Sequence, residues 1–183
     1  MAINGNGYVG TGLSEVFAPL RDWWEYVPKR DRWISKKNLP GASRFGAVGF
    51  VSSPDAGGKA YVCSGYDNFQ FYNDLWEFDP ATGNWQKKAD MPGAARFFAV
   101  GISVPTKGYG IVATGKDGTG VFQTFNDCHV YNTATNGWGT EPNIPGVRYG
   151  AAGFSIGKII YIGGGASLMG YPDRSDFWGL RLP

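Results

Sequence analysis

The stretch YVCSGYDNFQFYNDLWEFDPATGNWQKKADM, Tyr61 to Met91, decides the fold. It holds three short strands in a row. The first, Tyr61-Val62-Cys63-Ser64-Gly65, ends in glycine. The second, Asp74-Leu75-Trp76-Glu77-Phe78, runs into Asp79-Pro80-Ala81-Thr82-Gly83-Asn84, a run of turn residues. The third opens on Trp85. Apolar and polar side chains alternate with the period of two that marks a strand.

The pattern recurs along the chain. Glycine-ended strands stand at Tyr8–Gly12, Tyr61–Gly65, Ile111–Gly115 and Tyr161–Gly165. A second set begins with aspartate: Asp22-Trp23-Trp24-Glu25-Tyr26, Asp74–Phe78, Asp127-Cys128-His129-Val130-Tyr131 and Asp176-Phe177-Trp178-Gly179-Leu180. Trp33, Trp85 and Trp138 each open a further strand. Pro40-Gly41, Pro92-Gly93 and Pro145-Gly146 precede Arg44-Phe45, Arg96-Phe97 and Arg148-Tyr149, with successive arginines 52 residues apart. The unit is therefore about 52 residues with four strands, the first following the arginine. Four antiparallel strands per repeat of this length is the arithmetic of a propeller blade, and stacked blades bury sheet faces that one blade leaves open. The large residues at Trp24/Tyr26, Trp76/Phe78, His129/Tyr131 and Trp178/Leu180 each share one strand face, which suits blade-on-blade packing.

With these motifs the sequence resembles the kelch-repeat family. The resemblance rests on the Gly-Gly strand end in Tyr161-Ile162-Gly163-Gly164, on Tyr26, Phe78 and Tyr131 before the third turn, and on Trp33, Trp85 and Trp138. Only the last unit has the full glycine pair. The implied fold is an all-β, kelch-type propeller of four-stranded antiparallel blades, read as one domain over 1–183 with units 1–40, 41–92, 93–145 and 146–183. The first unit has at most a fragment of its first strand in Ala2-Ile3-Asn4, and the last stops after its third. That predicts fourteen strands, a partial ring of three and a half to four blades. The expected context is a fragment of a larger propeller, or a half-ring completed by a second copy or another chain. A self-closed four-bladed ring is the alternative.

Composition narrows the function classes. The 183 residues include 29 glycines and 16% aromatics, with 17 basic against 15 acidic side chains. That balance lacks the basic excess of a nucleic-acid face. No apolar run approaches the ~20 residues of a membrane span. No leader is evident at Met1-Ala2-Ile3, and the compartment is left open, a secreted or periplasmic parent included. Cys63 and Cys128 read as free, packed thiols, with a disulfide between them the alternative.

Catalytic patterns fail on context. Gly153-Phe154-Ser155-Ile156-Gly157 matches a nucleophile elbow but runs into a hairpin rather than a helix. Gly5-Asn6-Gly7-Tyr8-Val9-Gly10 has no helix after it to receive a pyrophosphate. The single histidine, His129, stands in a slot that holds Trp24, Trp76 and Trp178 elsewhere and reads as packing. One His and two separated Cys make no recognisable metal set, so neither metal nor cofactor is expected. This counts against a galactose-oxidase-like copper enzyme, a relative that the resemblance brings to mind.

A meander places the loops between second and third strands, and between fourth and next first strands, at one end of the blades. The resemblance implies that this end is the ligand face. Its candidates are Arg44, Arg96, Arg148, Tyr66, Asp67, Phe69, Asp117, Phe122, Tyr171 and Arg174. The three recurring arginines have two readings. They hold loop carbonyls, or they ring a channel that takes an anionic ligand. The expected function is a non-catalytic binding or scaffold module for a protein, peptide or carbohydrate. The alternative is a fragment of a kelch-type enzyme, sialic-acid mutarotase-like or oxidase-like, with catalytic residues largely outside this chain.

Overall fold

A computed structural model describes residues 1–53, 57–118, 123–167 and 173–183. Four antiparallel sheets follow one another along the chain. Blade 1 holds β1 (Ala2–Ile3), β2 (Asn6–Leu13), β3 (Pro19–Val27) and β4 (Arg32–Ser35). Blade 2 holds β5 (Val48–Val51), β6 (Ala60–Cys63), β7 (Leu75–Asp79) and β8 (Asn84–Lys88). Blade 3 holds β9 (Val100–Val104), β10 (Tyr109–Ala113), β11 (Cys128–Asn132) and β12 (Gly137–Glu141). Blade 4 holds β13 (Ala152–Ile156), β14 (Ile159–Gly163) and β15 (Phe177–Arg181). Strands pair in sequence order within every sheet. The fragment Ala2–Ile3 does pair, with Gly7 and Asn6, which brings the described strands to fifteen.

The turns close as their residues dictate. Asp79 Oδ1 accepts from the Ala81 amide at 2.8 Å, and Gly83, at φ 69°, donates its amide to the Asp79 carbonyl at 2.8 Å. Asn132 Oδ1 takes the Ala134 amide at 2.9 Å in the equivalent turn of blade 3. These are side chains doing a backbone's work in a tight reversal.

Three apolar layers lie between successive blades. Ile3, Tyr8 and Trp23 of blade 1 meet Ala60, Val62 and Phe78 of blade 2. Phe50, Tyr61, Cys63 and Leu75 of blade 2 meet Val112 and Tyr131 of blade 3. Ile102, Ile111, Ala113 and Cys128 of blade 3 meet Ile160 and Ile162 of blade 4. All four residues of β6 are buried because alternate side chains enter two different layers. The end blades bury one face each. Val9 on β2 is 56% exposed, and the rings of Phe154, Tyr161 and Phe177 stack on one another on blade 4, with Phe154 and Phe177 exposed.

Blade approach is close at the first strands. A Cβ on Gly101 would stand 2.8 Å from the Gly49 carbonyl oxygen, and one on Gly153 2.5 Å from Val100. Only glycine allows neighbouring sheets that near. Gly153 opens the apparent nucleophile elbow, and the Ser155 hydroxyl of that motif donates to the Ser103 carbonyl at 2.7 Å, a tie between blades 3 and 4. Within blades, strand pairs trade volume. Gly10 lies opposite Trp23 and Gly163 opposite Phe177, whereas Cys63 faces Leu75 and Ala113 faces Cys128.

Candidate functional site

The three arginines occupy equivalent places. Arg44 donates bidentately to Asp74, from one terminal nitrogen to Oδ1 at 2.5 Å and from the other to Oδ2 at 3.0 Å. Its Nε donates to the Ala42 carbonyl at 3.1 Å, and a further N–H reaches the Ser64 carbonyl at 3.0 Å. Arg96 repeats this with Asp127, Ala94 and Thr114. Arg148 repeats it with Asp176, Gly146 and Gly164, and adds the Pro145 carbonyl. Each aspartate also accepts from the residue two places on: Trp76 Nε1 and Trp178 Nε1, each at 2.7 Å, and His129 Nε2 at 2.9 Å. His129 therefore takes over the tryptophan's hydrogen bond and is buried.

Electrostatics follow from this geometry. Hydrogen bonds from Arg148 and Trp178 hold the Asp176 carboxyl well below the usual carboxylate range. Burial pushes Asp127 the other way, yet the Arg96 and His129 bonds outweigh it and its carboxyl also lies far below that range.

The backbone of each arginine completes a bridge to the preceding blade. The Arg44 amide donates to the Leu20 carbonyl, and the Gly12 amide donates to the Arg44 carbonyl, both at 2.8 Å. Gly65 and Gly115 donate likewise to Arg96 and Arg148 at 2.8 Å. The side chain thus locks its own blade while the main chain locks the previous one. All three arginines are 0% exposed. Of the two readings of these arginines, the geometry is that of the first: their donors go to loop carbonyls and aspartates inside the fold.

The other candidates separate by loop. In the β6–β7 loop, Asp67 Oδ1 accepts from the Phe69 and Gln70 amides at 2.9 and 2.7 Å, and its Oδ2 accepts from the Tyr72 hydroxyl at 2.5 Å. Asp67 therefore folds the loop rather than presenting a charge. Asp117 plays a similar part, accepting from the Gln123 amide at 2.9 Å. Tyr66 stacks on Phe71 with ring centroids 4.3 Å apart, and both lie 5.4 Å from Phe97. Phe69 stands out of this cluster, 92% exposed. Arg174 lies over Gly146, and its Nε is buried with no partner among the described residues. Phe122 and Tyr171 lie outside the described residues.

Tyr66, Asp117 and Phe69 come together at the seam of blades 2 and 3. There they and Gln70, Phe71, Ala94, Ala95 and Gly118 line an open cavity of about 450 Å³. One neighbour was not foreseen. The Lys116 ammonium sits 4.0 Å from the Tyr149 ring centre and 5.2 Å from that of Phe97, and burial lowers its pKa. Its only sequence signal is its place just after the strand-ending Gly115. Among the described residues no three His, Cys, Asp or Glu side chains gather as metal ligands would.

A kelch motif matches residues 56–92, which span β6 to β8 and the loop that carries Phe69. The fold is that of a kelch-type β-propeller. Of 174 matching chains of known structure, the structure of YjhT superposes with a TM-score of 0.72 at 20% identity. The likeness covers 93% of this chain and 59% of that one, so the chain spans less than two thirds of that protein's length. A search of curated proteins gives no match. Among the described residues no helix is long and apolar enough to cross a membrane.

Proposed function

We propose that the chain is a non-catalytic binding or scaffold module and that its ligand, a protein, peptide or glycan, seats on the loop face at the seam of blades 2 and 3. The observation that carries this is Phe69, a large apolar side chain 92% exposed at the rim of an aromatic-walled cavity. The loop beneath it is held by Asp67 and by the Tyr66–Phe71 stack, so the ring is presented from a preformed base. Aromatic walls suit the flat apolar face of a sugar or a peptide side chain.

The test is display of the protein against glycan and peptide arrays, with Phe69→Ala beside the parent. Ligands of this face lose at least tenfold in affinity with Phe69→Ala, while its thermal unfolding is unchanged. Array ligands that bind both forms equally refute the assignment. A second reading, a segment of a kelch-type enzyme, draws on the 59% share of YjhT that the chain covers. Catalytic residues then lie in other blades.

A further inference from the structure

Blade 3 breaks a rule that its neighbours keep. After the arginine and its aromatic neighbour, blades 2 and 4 place a glycine, in Arg44-Phe45-Gly46-Ala47 and Arg148-Tyr149-Gly150-Ala151, but blade 3 reads Arg96-Phe97-Phe98-Ala99. The three positions are equivalent and joined in a row. The Phe98 amide donates to the Gly46 carbonyl at 2.9 Å, and the Gly150 amide donates to the Phe98 carbonyl at 2.8 Å. Gly46, Phe98 and Gly150 are all left-handed, at φ 63°, 51° and 62°. Glycine takes that conformation freely, whereas for a bulky side chain it is a genuine outlier. Strain of this kind clusters where a side chain is needed for function.

The strained residue carries its ring onto the seam of blades 2 and 3. Phe98 lies 4.5 Å from Phe97 and 6.3 Å from Phe45, centroid to centroid, and stays 40% exposed. Phe97 is buried and stands 5.4 Å from both Tyr66 and Phe71. An unbroken aromatic path therefore runs from Phe98 to the walls of the cavity that has Phe69 at its rim. The lining is poor in polar groups that a ligand could meet. Asp117 accepts the Gln123 amide, and the Tyr66 hydroxyl donates to the Asn68 carbonyl at 2.8 Å. The exposed Gln70 amide is the polar side chain that remains.

We propose that the ligand of this seam is a proline-rich peptide segment in the polyproline II conformation, and that Phe98 is its second aromatic contact beside Phe69. The proposal rests on the seam being the ligand site and names what it takes. A sugar carries several hydroxyls, and an ordinary peptide carries an N–H at every residue. Each of these groups needs a partner once it leaves water, and the lining supplies few. Proline has no N–H, so a run of prolines buries its rings on the aromatic path without stranding a donor. Its carbonyls need only donors, and the Gln70 amide is one. The segment is also neutral, as a cleft whose charged members Asp67 and Asp117 are engaged within their own loops requires. Polyproline II is preformed, so little order is lost on docking in an aromatic groove. Two centroid steps of about 5 Å along the path compare with one polyproline turn of ~9 Å, so rings one turn apart on the peptide reach Phe98 and the Tyr66–Phe71 stack together.

The test titrates a fluorescein-labelled peptide of nine prolines, about three turns, into the full chain and follows anisotropy and amide chemical shifts. The expected result is saturable binding that shifts the amides of Gln70 and Phe98. A peptide with alanine at every second position, which restores N–H groups, binds at least ~tenfold more weakly. Phe69→Ala and Phe98→Gly each weaken the proline peptide at least ~tenfold. Phe98→Gly leaves the urea midpoint unchanged or raised, because relief of the left-handed backbone offsets the ring that is lost. A midpoint that falls with Phe98→Gly while binding holds makes the ring structural and overturns its role. The proposal is also overturned if the proline peptide does not bind, if the alanine peptide binds equally, or if Phe69→Ala binds as the parent does. If a glycan binds in a Phe69-dependent way and the proline peptide does not, the ligand named here is wrong while the seam stands as the site; if neither binds, both readings fall. Should Phe98→Gly fail to fold, Phe69→Ala and the proline-against-alanine comparison on the parent protein still decide.

Discussion

Replacing Arg96 by methionine isolates the pairing that recurs through this fold. Methionine keeps the aliphatic stem and removes every donor. Among the described residues the Asp127 carboxylate is left with His129 alone, and the Ala94 and Thr114 carbonyls lose their N–H. Breaking one side of a buried ion pair costs about 3–5 kcal/mol. Here the arginine is fully buried but the Asp127 side chain keeps 32% of its exposure, so water recovers part of the loss and the low end, about 3 kcal/mol, applies. At a slope of ~2 kcal/mol/M that moves the urea midpoint down by about 1.5 M. Intrinsic tryptophan fluorescence reads the transition, and a double-mutant cycle with Asp127→Asn reads the coupling, expected at ~1.5 kcal/mol or more. The matching change in blade 1, Asp22→Asn, breaks no ion pair among the described residues and costs under about 1 kcal/mol. An Arg96→Met loss below ~1 kcal/mol, or strict additivity with Asp127→Asn, refutes the argument that this arginine is structural.

Other expectations follow from single environments. Gly110→Ala places a methyl 2.1 Å from the Phe50 ring between blades 2 and 3, and the forced shift lowers stability by about 1–3 kcal/mol in the same urea assay. Asp127 and Asp176 have depressed native pKa values, so their stabilisation is complete above the unfolded value of ~3.9 and is lost as pH falls through the native one. The urea midpoint therefore holds flat from neutral pH down to ~5 and drops below ~4, with a shallower acid limb in Arg96→Met. Burial pushes both the Cys63 and Cys128 thiols up to about 12, so at pH 8 they react with a disulfide reagent at least ~100-fold more slowly in the native protein than in urea.

The repeat was legible because its punctuation is local. The strand-ending glycines, the Asp-x-Trp strands and the Trp-opened strands follow from backbone and packing demands that act within a few residues. The arginines were visible too, but their direction was not. An arginine at every repeat is compatible with a ligand ring or with a lock, and the deciding partner lies 28 to 31 residues away. That partner was nevertheless written in the chain, since an aspartate opens every third strand, and matching the two recurrences would have assigned the pairing. Asp67 and Asp117 read as charged loop residues because the amides they cap are backbone atoms without side-chain signature. Lys116 went unnoticed because its ring neighbours come from positions far apart in the chain.

The divided grip of each arginine, side chain in its own blade and main chain on the blade before, gives the array a direction of fraying. Losing blade 4 costs blade 3 an apolar layer, the Ser155–Ser103 tie and the Gly115 and Phe125 bonds to Arg148, and leaves the Arg96–Asp127 lock intact. Blades 2 and 3 are held from both sides, whereas blades 1 and 4 each have a single neighbour. Cooperativity then passes along the array one interface at a time. Amide hydrogen exchange should be slowest in β6 and β10 and should quicken toward β2 and β14, a gradient of protection that the order of the blades alone sets.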